Sequence, residues 1–291
     1  MKSSIFCLGA TLALTLASVS ALRAAEKQIQ FPAPSQHATL TQRIGLTDVS
    51  IDYSRPDMHG REIFGGLVPY DKVWRTGANQ PTKIKFSDAV KIEGRDVPAG
   101  EYALYTVPGK DEWTIILSKN IKLWGAYGYK PDADEMRAKV KASALPEPVQ
   151  TFTISFDNLE DTGATIALEW DKTRVPVQLT TNAMEKVNAE ITDALKDPGS
   201  LKPTFYYQAA SFYYDHNKDL EQAQKWVDTA IAQQKEPRYF MYYKKAQIEA
   251  KLGHKDQAKT AAEESIRLLK AEPEPDETAI RNSQLLIDSL H

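Results

Sequence analysis

Between Tyr53 and Thr82, the segment YSRPDMHGREIFGGLVPYDKVWRTGANQPT gathers Arg55, Arg61 and Arg75 with Asp57, His59, Trp74 and Asn79. Each guanidinium is a planar fork that fits a carboxylate, phosphate or sulfate, and Trp74 offers a flat face for a sugar ring or a cation. Asp57, His59 and Asn79 add donors and acceptors. These seven residues are the candidate ligand-binding set, and their chemistry selects a glycan or an anionic small molecule. The same residues admit a structural reading, in which the arginines pair with Asp52, Asp57, Glu62 or Asp71 and fix the loop by ion pairs and by hydrogen bonds to carbonyls. Alternation along KVWRTG, read as a strand, also sends Trp74 and Arg75 to opposite faces.

Other chemistry is thin. His37, His59, His216, His254 and His291 show no paired spacing for zinc. Asp57 and His59 are two residues apart in a loop, which alone does not make a metal site. Ser54 has no base beside it, and there is no Gly-x-Ser-x-Gly, dinucleotide or phosphate-loop motif. DNLEDTG lacks the spacing of a calcium loop and reads as a hairpin turn. No catalytic residue, metal or cofactor is assigned.

Positioning the loop falls to the elements around it. Pro56, Pro69 and Pro81 restrict the backbone, and Gly60, Gly65, Gly66 and Gly77 relax it, the punctuation of an ordered connection. From 36 to 181 the apolar residues alternate in short runs: ATLTQRIG, TDVSIDYS, KVWRTG, TKIKFS, YALYTV, WTIILS, QTFTISFD, ATIALEW and VPVQLT. Separated by turn residues, these predict an antiparallel β-sandwich or barrel, with Trp113, Phe152, Phe156 and Trp170 in its core. DADEMRAKVKAS, Asp132 to Ser143, is expected to be a helix.

After Thr181 the period becomes helical. NAMEKVNAEITDALKD forms one amphipathic helix. Two units then align at an offset of 35, matching Tyr207 with Tyr242, Ser211 with Ala246, Ala223 with Ala258, Val227 with Ala262 and Ala230 with Ser265. Pro237 and Pro273 close the units, and DETAIRNSQLLIDSL adds a final helix. This resembles tetratricopeptide repeats, helix pairs of about 34 residues with small residues at the helix contacts. Arrays of this kind present concave surfaces to peptides and proteins, which makes Tyr207, Tyr214, Tyr242 and Tyr243 candidates for a partner surface. The competing reading packs these tyrosines between the helices. The fold class is therefore α+β in two domains, 36–181 β-rich and 182–291 a helical-repeat array.

The first residues, MKSSIFCLGATLALTLASVSALRAAEKQ, have the lysine, apolar run and small residues of a signal peptide, 1–21. The apolar run is shorter than the roughly 20 residues of a membrane-spanning helix, and no second run of that length follows. The expected destination is the periplasm, as an exported chain with no transmembrane span after cleavage. Cys7, the only cysteine, leaves with the signal, so the mature chain has no thiol for disulfides or nucleophilic chemistry. A net charge of −3 carries no basic footprint for nucleic acid.

From Ser54 to Tyr102 the chain runs Ser-Arg-Pro, Gly-Arg, Phe-Gly, Val-Pro-Tyr, Val-Trp-Arg-Thr-Gly-Ala-Asn and Pro-Ala-Gly-x-Tyr. In these motifs it resembles the bacterial exported family known as domain of unknown function 2911, from about Leu40 to Thr180. The resemblance implies an exported β-rich domain, often followed by helical repeats, and carries no activity with it. Three functions follow as expectations: a binding or interaction module, with a glycan or anionic ligand on the β domain and a protein on the repeats; a hydrolase-type enzyme using Asp57, His59 and the arginines; and a purely structural scaffold. The absence of a catalytic constellation favours the first.

Overall fold

The computed structural model describes residues 31–290. The expected signal peptide, 1–21, lies outside the described residues. Among the described residues the ten strands are β1 (Gln36–Ile44), β2 (Thr47–Arg55), β3 (Thr82–Phe86), β4 (Val90–Ile92), β5 (Arg95–Val97), β6 (Gly100–Val107), β7 (Glu112–Ser118), β8 (Asp134–Lys141), β9 (Ser143–Glu160) and β10 (Gly163–Thr181). They form two antiparallel sheets, ordered β1-β2-β3-β6-β7-β8 and β5-β4-β10-β9. One apolar core takes Ile51, Phe86, Leu104 and Trp113 from the first sheet and Phe152, Leu168, Trp170 and Val177 from the second. The two sheets therefore enclose a single core, the sandwich that alternation predicts. Trp113, Phe152 and Trp170 are buried in it, and Phe156 packs half-buried against it.

Two expected elements differ. Asp132 to Ser143 is not a helix: β8 buries Met136, Ala138 and Val140 and turns Arg137, Lys139 and Lys141 outward. Its residues are helix formers, but their period of two, and the partner strand β7 that it finds, decide the outcome. KVWRTG is not a strand either. It makes one isolated bridge, Trp74 to Thr106, after which Thr76 turns to a φ of 54° and ends the pairing.

β6 and β7 are buried on both faces. Tyr102, Leu104, Ile115 and Leu117 face the common core, while Ala103, Tyr105 and Ile116 form a smaller cluster on the opposite face. The segment between β7 and β8 covers that cluster with Ile121, Leu123, Ala126 and Tyr129.

The helices are α1 (Ala183–Ala194), α2 (Pro203–Asp215), α3 (Leu220–Gln233), α4 (Tyr239–Leu252), α5 (Lys255–Lys270) and α6 (Glu277–Asp288), each packed on the next from α2 onward. They have separate apolar clusters, one around Tyr206, Trp226, Val227 and Met241, another around Ala246, Ala261 and Ala262. The protein is thus an α+β chain of two domains. Small residues permit close helix approach, and three of the pairs matched at an offset of 35 share their burial: Ala223 and Ala258, Val227 and Ala262, Ala230 and Ser265 are all fully buried, whereas Ser211 is half-buried and Ala246 fully so. The N-caps of α3 and α6 are Asp219 and Asp276, whose carboxylates accept from the amides of Gln222 and Ala279. No helix among the described residues is long and apolar enough to cross a membrane.

Candidate functional site

The chain from Pro56 to Pro81 connects β2 to β3. It leaves β2 toward the other sheet, where Asp57 bridges Thr151 of β9, and Phe152 donates its amide to the Pro56 carbonyl at 2.9 Å. It then returns to the first sheet, where Trp74 and Thr106 exchange amide hydrogen bonds of 2.7 and 2.9 Å. Between these anchor points it lays Phe64 and Trp74 on the core. Trp74 packs against Phe64, Trp113, Phe152 and Trp170, stacked on the last with ring centroids 5.8 Å apart. Its indole N–H donates to the Gly77 carbonyl at 3.1 Å. Gly77 has no alternative here, since its φ is +146° and an added Cβ would lie 2.8 Å from the Ser54 carbonyl oxygen.

Backbone strain is concentrated in this loop. His59, Asp71, Thr76 and Asn79 all have positive φ, from 47° to 60°. For Thr76, a β-branched residue, that conformation is an outlier, held by hydroxyl bonds to Thr106 and to the Trp74 carbonyl and by the Thr82 hydroxyl bonding to its own carbonyl.

The three arginines meet different partners. Arg55 Nε donates to the Phe152 carbonyl at 3.0 Å and its Nη2 to the Thr153 hydroxyl at 2.7 Å, tying β2 to β9. Arg61 Nε donates to the Met58 carbonyl at 2.9 Å and its Nη2 to the Asp57 carbonyl at 2.5 Å, closing its own turn. Arg75 is half-buried, and its buried Nε has no hydrogen-bond partner among the described residues. Burial lowers its guanidinium from the ordinary value, and nearby Tyr127 opposes the shift; an arginine remains a cation regardless. None of the three forms an ion pair with Asp52, Asp57, Glu62 or Asp71, whereas the hydrogen bonds to carbonyls that the structural reading also expects are made by Arg55 and Arg61.

Asp57 Oδ1 accepts from the His59 amide at 2.9 Å and its Oδ2 from the Thr151 hydroxyl at 3.0 Å. Those two bonds, the amide first, hold its carboxyl below the ordinary value. His59 is largely exposed, 3.4 Å from the same carboxylate. Asn79 is exposed and donates to the Ser54 hydroxyl at 3.1 Å. No group of three or more potential metal ligands occurs among the described residues.

Five of the seven candidates share one cleft of about 490 Å³: Asp57, His59, Arg61, Trp74 and Arg75 line it, joined by Lys72, which the sequence reading passed over. Asn79 lies in a neighbouring depression, and Arg55 lines neither. The cleft wall carries His59, Arg61, Lys72 and Arg75 against a single carboxylate, Asp57.

Residues 35–179, which hold this loop and both sheets, match a family described as "Protein of unknown function (DUF2911)". The chain belongs to this family. Its DUF2911 region ends within β10, short of the helices, and covers all seven residues of the candidate set. No curated protein matches the chain. No solved structure does either.

In the helical part, Tyr207 packs on Phe240 at 5.0 Å, and burial raises its phenol. Tyr214 has the ammonium groups of Lys244 and Lys251 at 4.3 and 4.6 Å from its ring centre. Tyr242 lines a groove of about 670 Å³ with Lys245, Glu264 and Arg267, and Tyr243 is half-buried beside it in sequence. Glu249, which stands where the first unit has Tyr214, is buried; it accepts from Gln224 at 2.8 Å and lies 2.8 Å from His254.

Proposed function

We propose that this DUF2911 protein is an exported, periplasmic binding module whose β domain takes a small anionic ligand in the arginine cleft. The observation that carries the reading is Arg75: a half-buried cation in a concave, cation-lined site, with no protein carboxylate to balance it. Leaving a charge there is unfavourable unless a partner of opposite sign completes it. Lys72 and Arg61 add to the positive field, and the strained loop is held in advance of binding, which limits the ordering cost of ligand capture. Carboxylates, sugar phosphates and uronic acids have the required chemistry.

An enzyme built on Asp57 and His59 is less well supported. Both Asp57 oxygens are engaged, one by the His59 amide of the turn and one by the Thr151 hydroxyl of β9, and its carboxyl is held below the range useful to a general acid. For the helices we infer a tetratricopeptide-like array that takes a protein partner, with Tyr242 on its groove; the shared burial at an offset of 35 supports this.

Thermal melting of the protein in the presence of a panel of carboxylates, sugar phosphates and uronic acids tests the ligand. At least one class is expected to raise the melting temperature of the wild type and to leave Arg75→Ala unmoved. A panel with no effect, or an effect that survives Arg75→Ala, contradicts the assignment.

A further inference from the structure

Trp124 and Tyr127 stand out among the exposed large apolar side chains, with 62 % and 80 % of their surface in contact with solvent. They lie on the segment that covers the outer face of the first sheet, and this segment is well fixed. Ile121, Leu123, Ala126 and Tyr129 are packed down on Ala103, Tyr105 and Ile116. The Tyr105 hydroxyl donates to the Gly125 carbonyl at 3.3 Å, and the Tyr129 hydroxyl to Asp134 at 2.6 Å. The Tyr127 amide closes a turn on the Trp124 carbonyl at 3.3 Å, and Gly125 and Gly128 take φ of +62° and +75°. The same short run thus half-buries its aliphatic residues and Tyr129 while presenting its other two aromatics outward. A folding requirement alone would not display them, because each leaves a large apolar surface in water.

Beside the indole is a small depression of about 220 Å³, walled by His37, Asp52, Ser54, Asn79, Gln80 and Trp124. Its volume is below the roughly 300–1,000 Å³ of pockets for drug-sized molecules, so it fits one ring of a longer chain. Asp52 accepts from the Thr39 hydroxyl at 3.3 Å and lies 3.1 Å from His37, an orientation that leaves acceptor capacity on the carboxylate. Asn79 donates to Ser54 and keeps its amide oxygen and second N–H for a ligand. A flat aromatic face next to a carboxylate, two amides and a hydroxyl is complementary to a saccharide ring, which presents an apolar C–H face and a rim of hydroxyls. A purely apolar partner would leave those polar groups unpaired.

We propose that Trp124 and this depression form a saccharide subsite, distinct from the arginine cleft and independent of the anionic-ligand reading. The two sites adjoin across one stretch of chain, with Gly77 and Ala78 on the cleft and Asn79, Gln80 and Pro81 on the depression. In the subsite, the ring lies on the indole, Asp52 accepts from ring hydroxyls, and Asn79 and Gln80 hydrogen-bond to others. Tyr127, on the same turn, extends the aromatic surface for a following ring.

The test is an oligosaccharide array of neutral and acidic chains probed with the full chain, followed by titration of the strongest binder with tryptophan fluorescence as the readout. The expected result is binding that falls about tenfold or more in Trp124→Ala, as for truncation of a central aromatic anchor, and falls in Asp52→Asn. The exposed ring makes Trp124→Ala a folded variant, which its melting curve checks. An array without binding overturns the proposal, as does binding that Trp124→Ala leaves intact. Loss in Arg75→Ala alone moves the saccharide to the arginine cleft and overturns it too. Capture of phospholipid vesicles through Trp124 without any saccharide binding would assign the loop to a membrane surface instead.

Discussion

Arg55, at the end of β2, and Arg61 and Arg75, in the loop that follows, differ in what their guanidinium groups meet. Arg55 holds β9 through a carbonyl and a hydroxyl, so Arg55→Ala is expected to lower stability by about 1–3 kcal/mol in denaturant melts, with two charged-group hydrogen bonds lost. Arg75→Ala removes a half-buried cation without a protein partner and is expected to leave stability unchanged or to raise it. If Arg75→Ala destabilises as much as Arg55→Ala, the loop serves the fold alone. Trp74→Ala opens a hole among four aromatic rings, and a loss of about 3–5 kcal/mol is expected from the same melts. Residue types, and thus the preference for an anion, are legible in the sequence. The direction of each arginine is not, because the partners of Arg55 are 97 and 98 residues away along the chain. The neighbours of Trp74 in sequence suggest a ligand face; its place at the centre of the aromatic core is set by residues that only the fold brings together.

Among the elements, alternation located the strands well, and β8 shows why composition misleads. Its Glu, Met, Arg, Ala and Lys favour a helix, while the spacing of Met136, Ala138 and Val140 fits a sheet and prevails through pairing with β7. The segment LWGAYGYK carries a readable signal, two aromatics each followed by a glycine, that periodicity does not detect. Its anchoring predicts an alkaline response. Burial is the main cause that pushes the phenols of Tyr105 and Tyr129 up to about 12 from 10.0, the Tyr129 phenol being raised also by its bond to Asp134. The unfolded chain releases these protons near 10 and the folded chain near 12, so stability present below pH 10 declines as pH rises toward 12. Thermal melts between pH 9 and pH 12 check this, and Tyr105→Phe with Tyr129→Phe is expected to flatten the decline. A second element-scale prediction concerns the β1–β2 turn. Gly45 has φ +56°, and a Cβ there would lie 2.2 Å from the Asp161 carbonyl oxygen, so Gly45→Ala is expected to destabilise by more than about 2 kcal/mol, measured by denaturant unfolding.

At the scale of the molecule, two domains with separate cores meet at one joint. The Gly45 and Asp161 turns, Ala183 at the start of α1, and the ion pair of Lys186 with Asp88 lie there. Because the apolar clusters share no residue, unfolding is expected in two steps, with near-ultraviolet tryptophan signals of the sandwich and far-ultraviolet helical signals changing at different denaturant concentrations. Coincident curves would mean that the joint couples the domains into one cooperative unit. The division between strands and helices was legible because the hydrophobic period changes near Thr181, whereas the joint, made by turns distant in sequence, was not. The central claim remains that a loop tied down by Arg55 and Arg61 presents Arg75 to an anion. Its most direct test is a nuclear magnetic resonance titration of the arginine Nε–H signals with the anion that most raises the melting temperature. The Arg75 resonance is expected to shift and saturate while those of Arg55 and Arg61, bound to protein oxygens, stay in place; a static Arg75 signal beside shifting Arg55 or Arg61 signals would contradict the account.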